Sequence, residues 1–451
     1  MTNLQIISLG CARNDVDAEE LAARLVADDF CLVDNAEAAE VVLVNTCGFI
    51  EAAKAEAIEE ILCAAEADST GRRKPVIVTG CLAERYGAEL AGSLTEAAAI
   101  IGFDGYTEIA SRVRAVLAGS KAVAHTPTDR RLLPLKPSRP WRPEHRRRLD
   151  INPTASLKIA SGCDRRCAFC AIPAIRGLFE SRPVADIVEE AAWLATQGVR
   201  ELFLVSENTT SYGKDLDRVS LETLLAQLSR LDGIDWIRLS YLQPAEIRPG
   251  LIDAMADIDK VVPYFDLPFQ HASKSVLKRM RRFGDAESYL GLLEQIRDVL
   301  PTAGIRSNVI VGFPGETADD MECLRQFLGA ANLDAVGVFA YSGEEGTEGV
   351  SLPGQLDPDE ITARQGDLLE FVDTVTALRA QDRIGEKVQV LIESDQNGVY
   401  LGRASQQGPE DAHCEWHNSP ANQAWIGQIC EGVVVDTDGV DWLVDPVADS
   451  E

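Results

Sequence analysis

The 451-residue chain has no run of about 18 consecutive apolar residues, and its N-terminus has no basic segment leading into an apolar one. Neither a membrane span nor a secretory leader is therefore expected, and the expected compartment is the cytoplasm. Basic residues are scarce as well: 43 Lys and Arg against 72 Asp and Glu give a formal charge of -29. That excess opposes nonspecific attraction to a phosphate backbone and favours a basic partner, or simply keeps the protein soluble. The scarcity is sharpest at the C-terminal end. Beyond Lys387 the only Lys or Arg is Arg403, set among Glu393, Asp395, Glu410, Asp411, Glu415, Glu431, Asp436, Asp438, Asp441 and Asp445. A disulfide framework is not expected either, since 11 cysteines in an unexported chain of this size point to thiolate ligands and reduced thiols. The length divides into two or three domains.

What is present begins with a repeated local pattern. LQIISLG precedes Cys11, VVLVNT precedes Cys47 and PVIVTG precedes Cys81, and helix-like stretches follow, including Asp17 to Val26 and Glu51 to Ala65. Strand–helix alternation predicts a parallel sheet, whose strand carboxyl ends share one edge where ligands bind. Three cysteines distant in sequence would converge there. The competing reading is three small, easily buried residues. Gly10, Gly48 and Gly80, one beside each cysteine, permit tight turns and close backbone approach. Cys31, Cys63, Cys323, Cys414 and Cys430 have no such setting and read as structural thiols.

A second triad lies in SGCDRRCAFCAIP, after the strand-like run Leu157 to Ala160. Cys163, Cys167 and Cys170 leave one corner of a cubic iron–sulfur cluster without a protein ligand, whereas a four-iron cluster that only carries electrons normally has four thiolates. An open iron fits chelation by S-adenosylmethionine, whose reductive cleavage gives a deoxyadenosyl radical. A zinc knuckle is the competing reading, but it wants four ligands, and neither His145 nor His271 stands at a knuckle-like distance. Phe169 and Ile172-Pro173 add an apolar wall.

From Leu157 onward, strand candidates recur at Glu201 to Val205, Trp236 to Ser240, Tyr264 to Leu267, Ile305 to Val311 and Ala335 to Ala340, separated by helices such as Val184 to Thr196. About six β/α units make a partial barrel with a lateral opening. Its functional groups are expected where strands meet the following loops, at Glu207, Asn208, Ser240, Gln270, His271 and the turn Gly312, Phe313, Pro314, Gly315; there the glycines either admit the adenosyl group or simply make a strand-to-helix turn. His271 is equally a core histidine. After a helix from Glu360 to Asp382, short β runs at Lys387 to Glu393, Gly398 to Gly402, Ala424 to Val435 and Trp442 to Val444 predict a small antiparallel barrel. The fold class is thus α/β: a parallel-sheet domain over 1–120, a basic, proline-rich linker over 121–150, a partial (β/α)6 TIM-like barrel over 151–382 and a small antiparallel β-barrel over 383–451. The linker holds Arg130, Arg131, Lys136, Arg139, Arg142, Arg146, Arg147 and Arg148, with an RNA-touching or substrate-guiding arm as its alternative.

Nearly end to end, the chain resembles the methylthiotransferases, a radical S-adenosylmethionine family with an N-terminal domain, a partial barrel and a C-terminal TRAM domain. SLGCARNDVDAEE, VNTCGFI, TGCLAERY, GCDRRCAFCAIPAIRG, VGFPGET and VFAYSGEEGT are similar to the branch that modifies a ribosomal protein. The tRNA branch opens more like GCQMN, so Cys11-Ala12-Arg13-Asn14 is the discriminating motif. The resemblance implies an auxiliary 4Fe-4S cluster on Cys11, Cys47 and Cys81, a radical 4Fe-4S cluster on Cys163, Cys167 and Cys170, and S-adenosylmethionine walled by Phe169, Glu207, Ser240, Gly312, Phe313 and Pro314. It further implies methylthiolation of an aspartate β-carbon in a small-subunit ribosomal protein docked on the acidic TRAM domain, a flavodoxin- or ferredoxin-like electron donor, and ribosome contact. Glu207-Asn208 departs from the family's usual Gln-Asp, and Ser240 and Gln243 stand where His and Tyr are common. A tRNA methylthiotransferase and a non-catalytic iron–sulfur or zinc scaffold are the alternatives.

Overall fold

A computed structural model of the chain describes all residues except 68–70, 72, 121–123, 128, 133–144, 418–423 and 448–451. Strands β1 (Thr2–Ser8), β2 (Phe30–Leu32), β3 (Val41–Thr46), β4 (Val76–Thr79) and β5 (Ala97–Ile100) form a parallel sheet in the order β2-β1-β3-β4-β5. β3 reads VVLVNT without alternation because both of its faces are covered. Val41 and Leu43 pack with Leu21, Leu25 and Val113 on one side, Val42 and Val44 with Ile61 and Leu90 on the other. The three strands that end at cysteines are adjacent in the sheet.

Next come β6 (Thr154–Lys158), a two-residue-per-arm hairpin of β7 (Ala160–Ser161) and β8 (Glu180–Ser181), then β9 (Glu201–Val205), β10 (Trp236–Leu239), β11 (Tyr264–Asp266), β12 (Gly304–Val311) and β13 (Ala335–Ala340). β6, β9 and β10 pair in parallel, as do β11, β12 and β13, and an Ile237–Val261 bridge joins the two groups into one curved, six-stranded open barrel. Alternation sets the faces: Leu202, Leu204, Ile237 and Leu239 join the helix-side core, so Glu201, Phe203 and Arg238 face the lumen.

Helix Pro358–Gln381 leads to β14 (Lys387–Gln396), β15 (Val399–Ala404), β16 (Cys414–Trp416), β17 (Ile429–Asp438) and β18 (Asp441–Pro446), a closed barrel. Four of its seams are antiparallel, and β16 pairs β18 in parallel. This barrel plugs the floor of the larger one. Glu201, fully buried, lies 2.5 Å from Arg238 Nε and 2.5 Å from Arg403 Nη2, and Arg238 donates to the Ser405 carbonyl at 2.8 Å. Beside them Tyr264 Oη donates to Asp411 at 2.6 Å and Arg306 pairs with Asp411 at 2.6 Å.

Part of the linker reading is corrected. Arg130 is buried against Glu84 and Asp104 (2.5 and 2.7 Å), and Arg146 against Glu19 and Glu190 (3.1 and 3.2 Å). These cations bind the N-terminal domain to its surroundings rather than reaching for RNA, because a buried guanidinium needs an acid partner. Lys136, Arg139 and Arg142 lie outside the described residues.

Candidate functional site: two thiol triads at one domain boundary

The first triad is assembled by topology. Cys11, Cys47 and Cys81 follow β1, β3 and β4, neighbouring strands whose carboxyl ends make one edge. Gly10 sits at φ +96°, and a Cβ there would fall 2.7 Å from Cys47 Cβ, so only glycine lets the first turn pass the second cysteine. Asn14 pins the edge together: its Nδ2 donates to the carbonyls of Leu9 and Thr46 at 2.9 and 3.1 Å, and Asn45 Nδ2 donates to the Asn14 carbonyl at 2.7 Å. Burial pushes the Cys81 thiol up to about 12, with Arg176 pulling the other way, and burial likewise raises Cys47.

The second triad sits in the loop after the first barrel strand. Cys163 N–H donates to the Gly177 carbonyl at 3.0 Å, Cys170 N–H to the Cys167 carbonyl at 3.1 Å, and Ala168 N–H to the Met280 carbonyl at 3.0 Å. Burial pushes Cys163 up to about 12 and raises Cys170 too. Beside them Phe313 and Tyr341 meet edge to face at 5.1 Å, packed with Ala168 and Phe169.

The two triads are stitched to each other. Helix Ile172–Arg176, directly after Cys170, buries Ala171 and Ile175 in the N-terminal core with Cys81, Phe103 and Tyr106. Arg176 at its end, 1% exposed, donates from Nη2 to Asn14 Oδ1 at 2.6 Å and to Cys81 Sγ at 3.4 Å, pairs with Asp17 at 2.9 Å and lies 3.6 Å from Glu207. Asp17 also binds Lys158 of β6. Burial alone would raise Asp17, but Lys158 and Arg176 hold its carboxyl below the usual range. From the other side Arg13 reaches Glu207 at 3.5 Å and the Ser206 carbonyl at 3.0 Å. Sequence reasoning noted Arg13 only as part of a motif and missed Asp17, Lys158 and Arg176 as site residues; their signal was a charged residue within six positions of Cys11, Cys163 or Cys170.

Both triads fit iron–sulfur clusters in the chemistry of their donors. Each supplies three thiols, and each has a guanidinium on sulfur, Arg176 at Cys81 and Arg282 at Cys167 (3.8 Å), the kind of N–H contact that tunes a cluster. Desolvated thiols resist ionising alone, so a metal would take the place of their protons.

The other wall candidates divide. Glu207 is buried beside both triads, and Ser240 Oγ is satisfied by the Leu204 carbonyl at 2.8 Å. Asn208 bonds Ser211 at 2.8 Å and Glu246 at 3.2 Å. His271 is a core histidine, accepting from Ser273 N–H at 2.9 Å with Nε2 3.4 Å from Glu316. Gln270 at φ +72° serves the sheet by bridging to Val309. The glycine turn faces protein: a Cβ on Gly312 would meet Ile361 at 2.6 Å, and Arg279 donates to the Pro314 carbonyl at 2.7 Å. Close packing explains those glycines. A cavity of about 430 Å³ runs from Ala12 and Asp15 past Phe203 to Glu393 and Glu410 of the C-terminal barrel.

A six-stranded open barrel with three cysteines after its first strand defines a radical S-adenosylmethionine enzyme, and the model of the radical SAM superfamily matches residues 157–328. The model of the uncharacterized protein family UPF0004 matches residues 3–102. The ribosomal protein uS12 methylthiotransferase RimO of Cutibacterium acnes is 52% identical, covering 99% of this chain and 98% of its own length. That of a Nocardioides species is 53% identical, covering 98% and 96%. The chain belongs to the ribosomal protein uS12 methylthiotransferase RimO family. Among solved structures, the radical S-adenosylmethionine methyltransferase TsrM from Kitasatospora setae, with cobalamin and a [4Fe-4S] cluster bound, shares the fold at 15% identity, TM-score 0.54 and 75% coverage of each chain.

Proposed function

We propose that the chain adds a methylthio group to the β-carbon of an aspartate in ribosomal protein uS12, with Cys11, Cys47 and Cys81 holding one 4Fe-4S cluster and Cys163, Cys167 and Cys170 the other. The observation that carries this reading is Arg176, which follows the second triad in sequence yet touches Cys81 of the first at 3.4 Å, so that both thiol sets face one boundary. Clusters and S-adenosylmethionine bound there supply the one-electron chemistry and the sulfur that an unactivated C–H bond demands, since no side-chain base removes such a proton at neutral pH. The chain's own residues hold that chemistry in place. Ala171 and Ile175 seal the boundary against water, Arg176 and Arg282 brace one sulfur of each triad, and Phe169 and Phe313 wall the second triad.

The C-terminal barrel, read as a TRAM domain, is the docking surface for the basic substrate. Arg403 is buried against Glu201 and Glu393, and Lys387 is the one exposed Lys or Arg on β14 to β18, which leaves a predominantly acidic exterior. A flavodoxin- or ferredoxin-like protein is the electron donor, and the cytoplasm the compartment; no described helix is long and apolar enough to cross a membrane. The four segments retain the sequence-derived bounds 1–120, 121–150, 151–382 and 383–451. Reconstituted enzyme incubated with reductant, sulfide, S-adenosylmethionine and uS12 is expected to add the mass of one methylthio group to one aspartate. No such product, or altered tRNA nucleosides in cells lacking the protein, would defeat the reading.

A further inference from the structure

We propose that the guanidinium of Arg13 is the seat for the substrate's carboxylate, the group that makes an aspartate rather than a neutral side chain the acceptor. The proposal rests on the function given above. Arg13 occupies the first turn of helix Ala12–Ala27, two residues past Cys11, and crosses from the N-terminal domain into the rim of the barrel. Its plane is fixed in advance. Nη1 donates to the Ser206 carbonyl at 3.0 Å, and the guanidinium carbon lies 4.4 Å from the centre of the Tyr241 ring. Tyr241 is itself held at φ +54° with its N–H on Asp266 at 2.7 Å.

A guanidinium so fixed is a fork matched to a carboxylate, yet it holds none in hydrogen-bond geometry. Glu207 comes within 3.5 Å of Nε, but that Nε and both Glu207 oxygens are buried without a hydrogen-bond partner. Several other buried pairs close at shorter range, although Arg146 Nε beside Glu19 and Glu190 is left open in the same way. Arg238 donates to Glu201 at 2.5 Å, Arg383 to Asp334 at 2.7 Å and Arg403 to Glu393 at 2.8 Å. Arg176, the other cation on Glu207, is already engaged by Asn14, Asp17 and Cys81. Arg13 is therefore the preset donor with capacity left, at 11% exposure and not sealed in the core.

Its position suits the reaction. Arg13 stands two residues past Cys11 of the first triad, and its neighbour Glu207 lies 3.6 Å from Arg176, six residues past Cys170 of the second. A carboxylate seated on Arg13 brings its adjoining carbon to the boundary between the two. An asparagine amide is neutral and offers one acceptor oxygen beside an N–H2 donor, so it cannot take both arms of the fork, and the site selects by charge as well as by shape.

The test measures binding of the full, anaerobically reconstituted chain to uS12 and to uS12 carrying asparagine at the modified position. Wild type is expected to favour the aspartate form by on the order of ten- to a hundredfold. Arg13→Met should bring that ratio close to one. Arg13→Lys, which keeps the charge but not the fork, should fall between, and carries the test alone if Arg13→Met loses its iron. A purely structural Arg13 would weaken both forms equally; an unchanged aspartate-to-asparagine ratio in either variant overturns the proposal. If wild type neither binds nor modifies uS12, it is the function that falls.

Discussion

Glu201 is the most exacting place to test how the C-terminal barrel is fixed to the larger one. It is fully buried between Arg238 and Arg403, each 2.5 Å away, and takes a further hydrogen bond from Thr154 at 3.1 Å. Glu201→Gln preserves shape but leaves two buried guanidiniums facing each other, a loss of about 3–5 kcal/mol. Arg403→Met leaves the Glu201–Arg238 pair intact and releases Glu393, 30% exposed, to water, which costs about 1.5–3 kcal/mol. The expected order is thus Glu201→Gln worse than Arg403→Met. Burial alone would raise the Glu201 carboxyl, but Arg238 and then Arg403 hold it at about 2 against an ordinary 4.5. A depressed folded value stabilises above the unfolded value and is lost as pH falls toward the folded one, so this carboxylate contributes about 3 kcal/mol near pH 7, with roughly three fifths gone by pH 3. Urea unfolding of the metal-free chain, followed by tryptophan fluorescence at pH 7 and pH 3, reads both effects. If Arg403→Met proves as damaging as Glu201→Gln, or if wild type and Glu201→Gln differ as much at pH 3 as at pH 7, the reasoning about this buried triplet is wrong.

Gly10→Ala places a Cβ 2.7 Å from Cys47 Cβ at φ +96°, and the expected result is a reconstituted protein with about half its iron, the second triad remaining loaded. Glu344, 2% exposed, receives Arg85 at 2.7 Å and Lys54 at 3.2 Å from the N-terminal domain; Glu344→Gln should lower the opening free energy of helix Gly80–Ser93 by about 3 kcal/mol, read by hydrogen exchange. The association rate with uS12 should fall by on the order of tenfold or more between low and physiological salt, and a salt-independent rate would argue against docking on an acidic surface.

The central strands were legible because parallel strands covered on both faces spell themselves out, as VVLVNT and PVIVTG do. β2, β5 and β16 were not. FCL and CEW are three residues each, and AAAI has too little bulk to mark a strand, so only pairing with neighbours defines them. The cysteines were visible from their spacing and flanking glycines. The residues joining them were not, because Arg13, Lys158 and Arg176 owe their meaning to partners as far as 193 positions away. The linker arginines misled for the same reason: Arg130 and Arg146 look like a solvated basic run until Glu84, Glu19 and Glu190 close on them. GFPGET shows the opposite ambiguity, in which glycines suited to a ligand also stand in close contact with Ile361 and Arg279.

The surface charge and the site are joined by a distance. Among the described residues ten Lys and Arg and nine Asp and Glu are buried, so folding hides almost none of the -29 excess. In the C-terminal barrel only Lys387, at the start of β14, offsets it from the surface, because Arg403 points into the floor of the larger barrel. That floor is the amino end of the strands, at Thr154, Glu201 and Gly304, whereas the thiols stand beyond their carboxyl ends. A five-residue strand such as β9 spans about 17 Å. A basic partner docked on the acidic barrel must therefore send an extended segment of about five residues or more to reach the triads. The cavity of about 430 Å³, from Glu393 and Glu410 past Phe203 to Ala12, lies along that course and ends one residue from Cys11. For a substrate docked there as proposed, docking and chemistry are separated by the height of the barrel, and a projecting loop meets this demand where a flat protein surface does not.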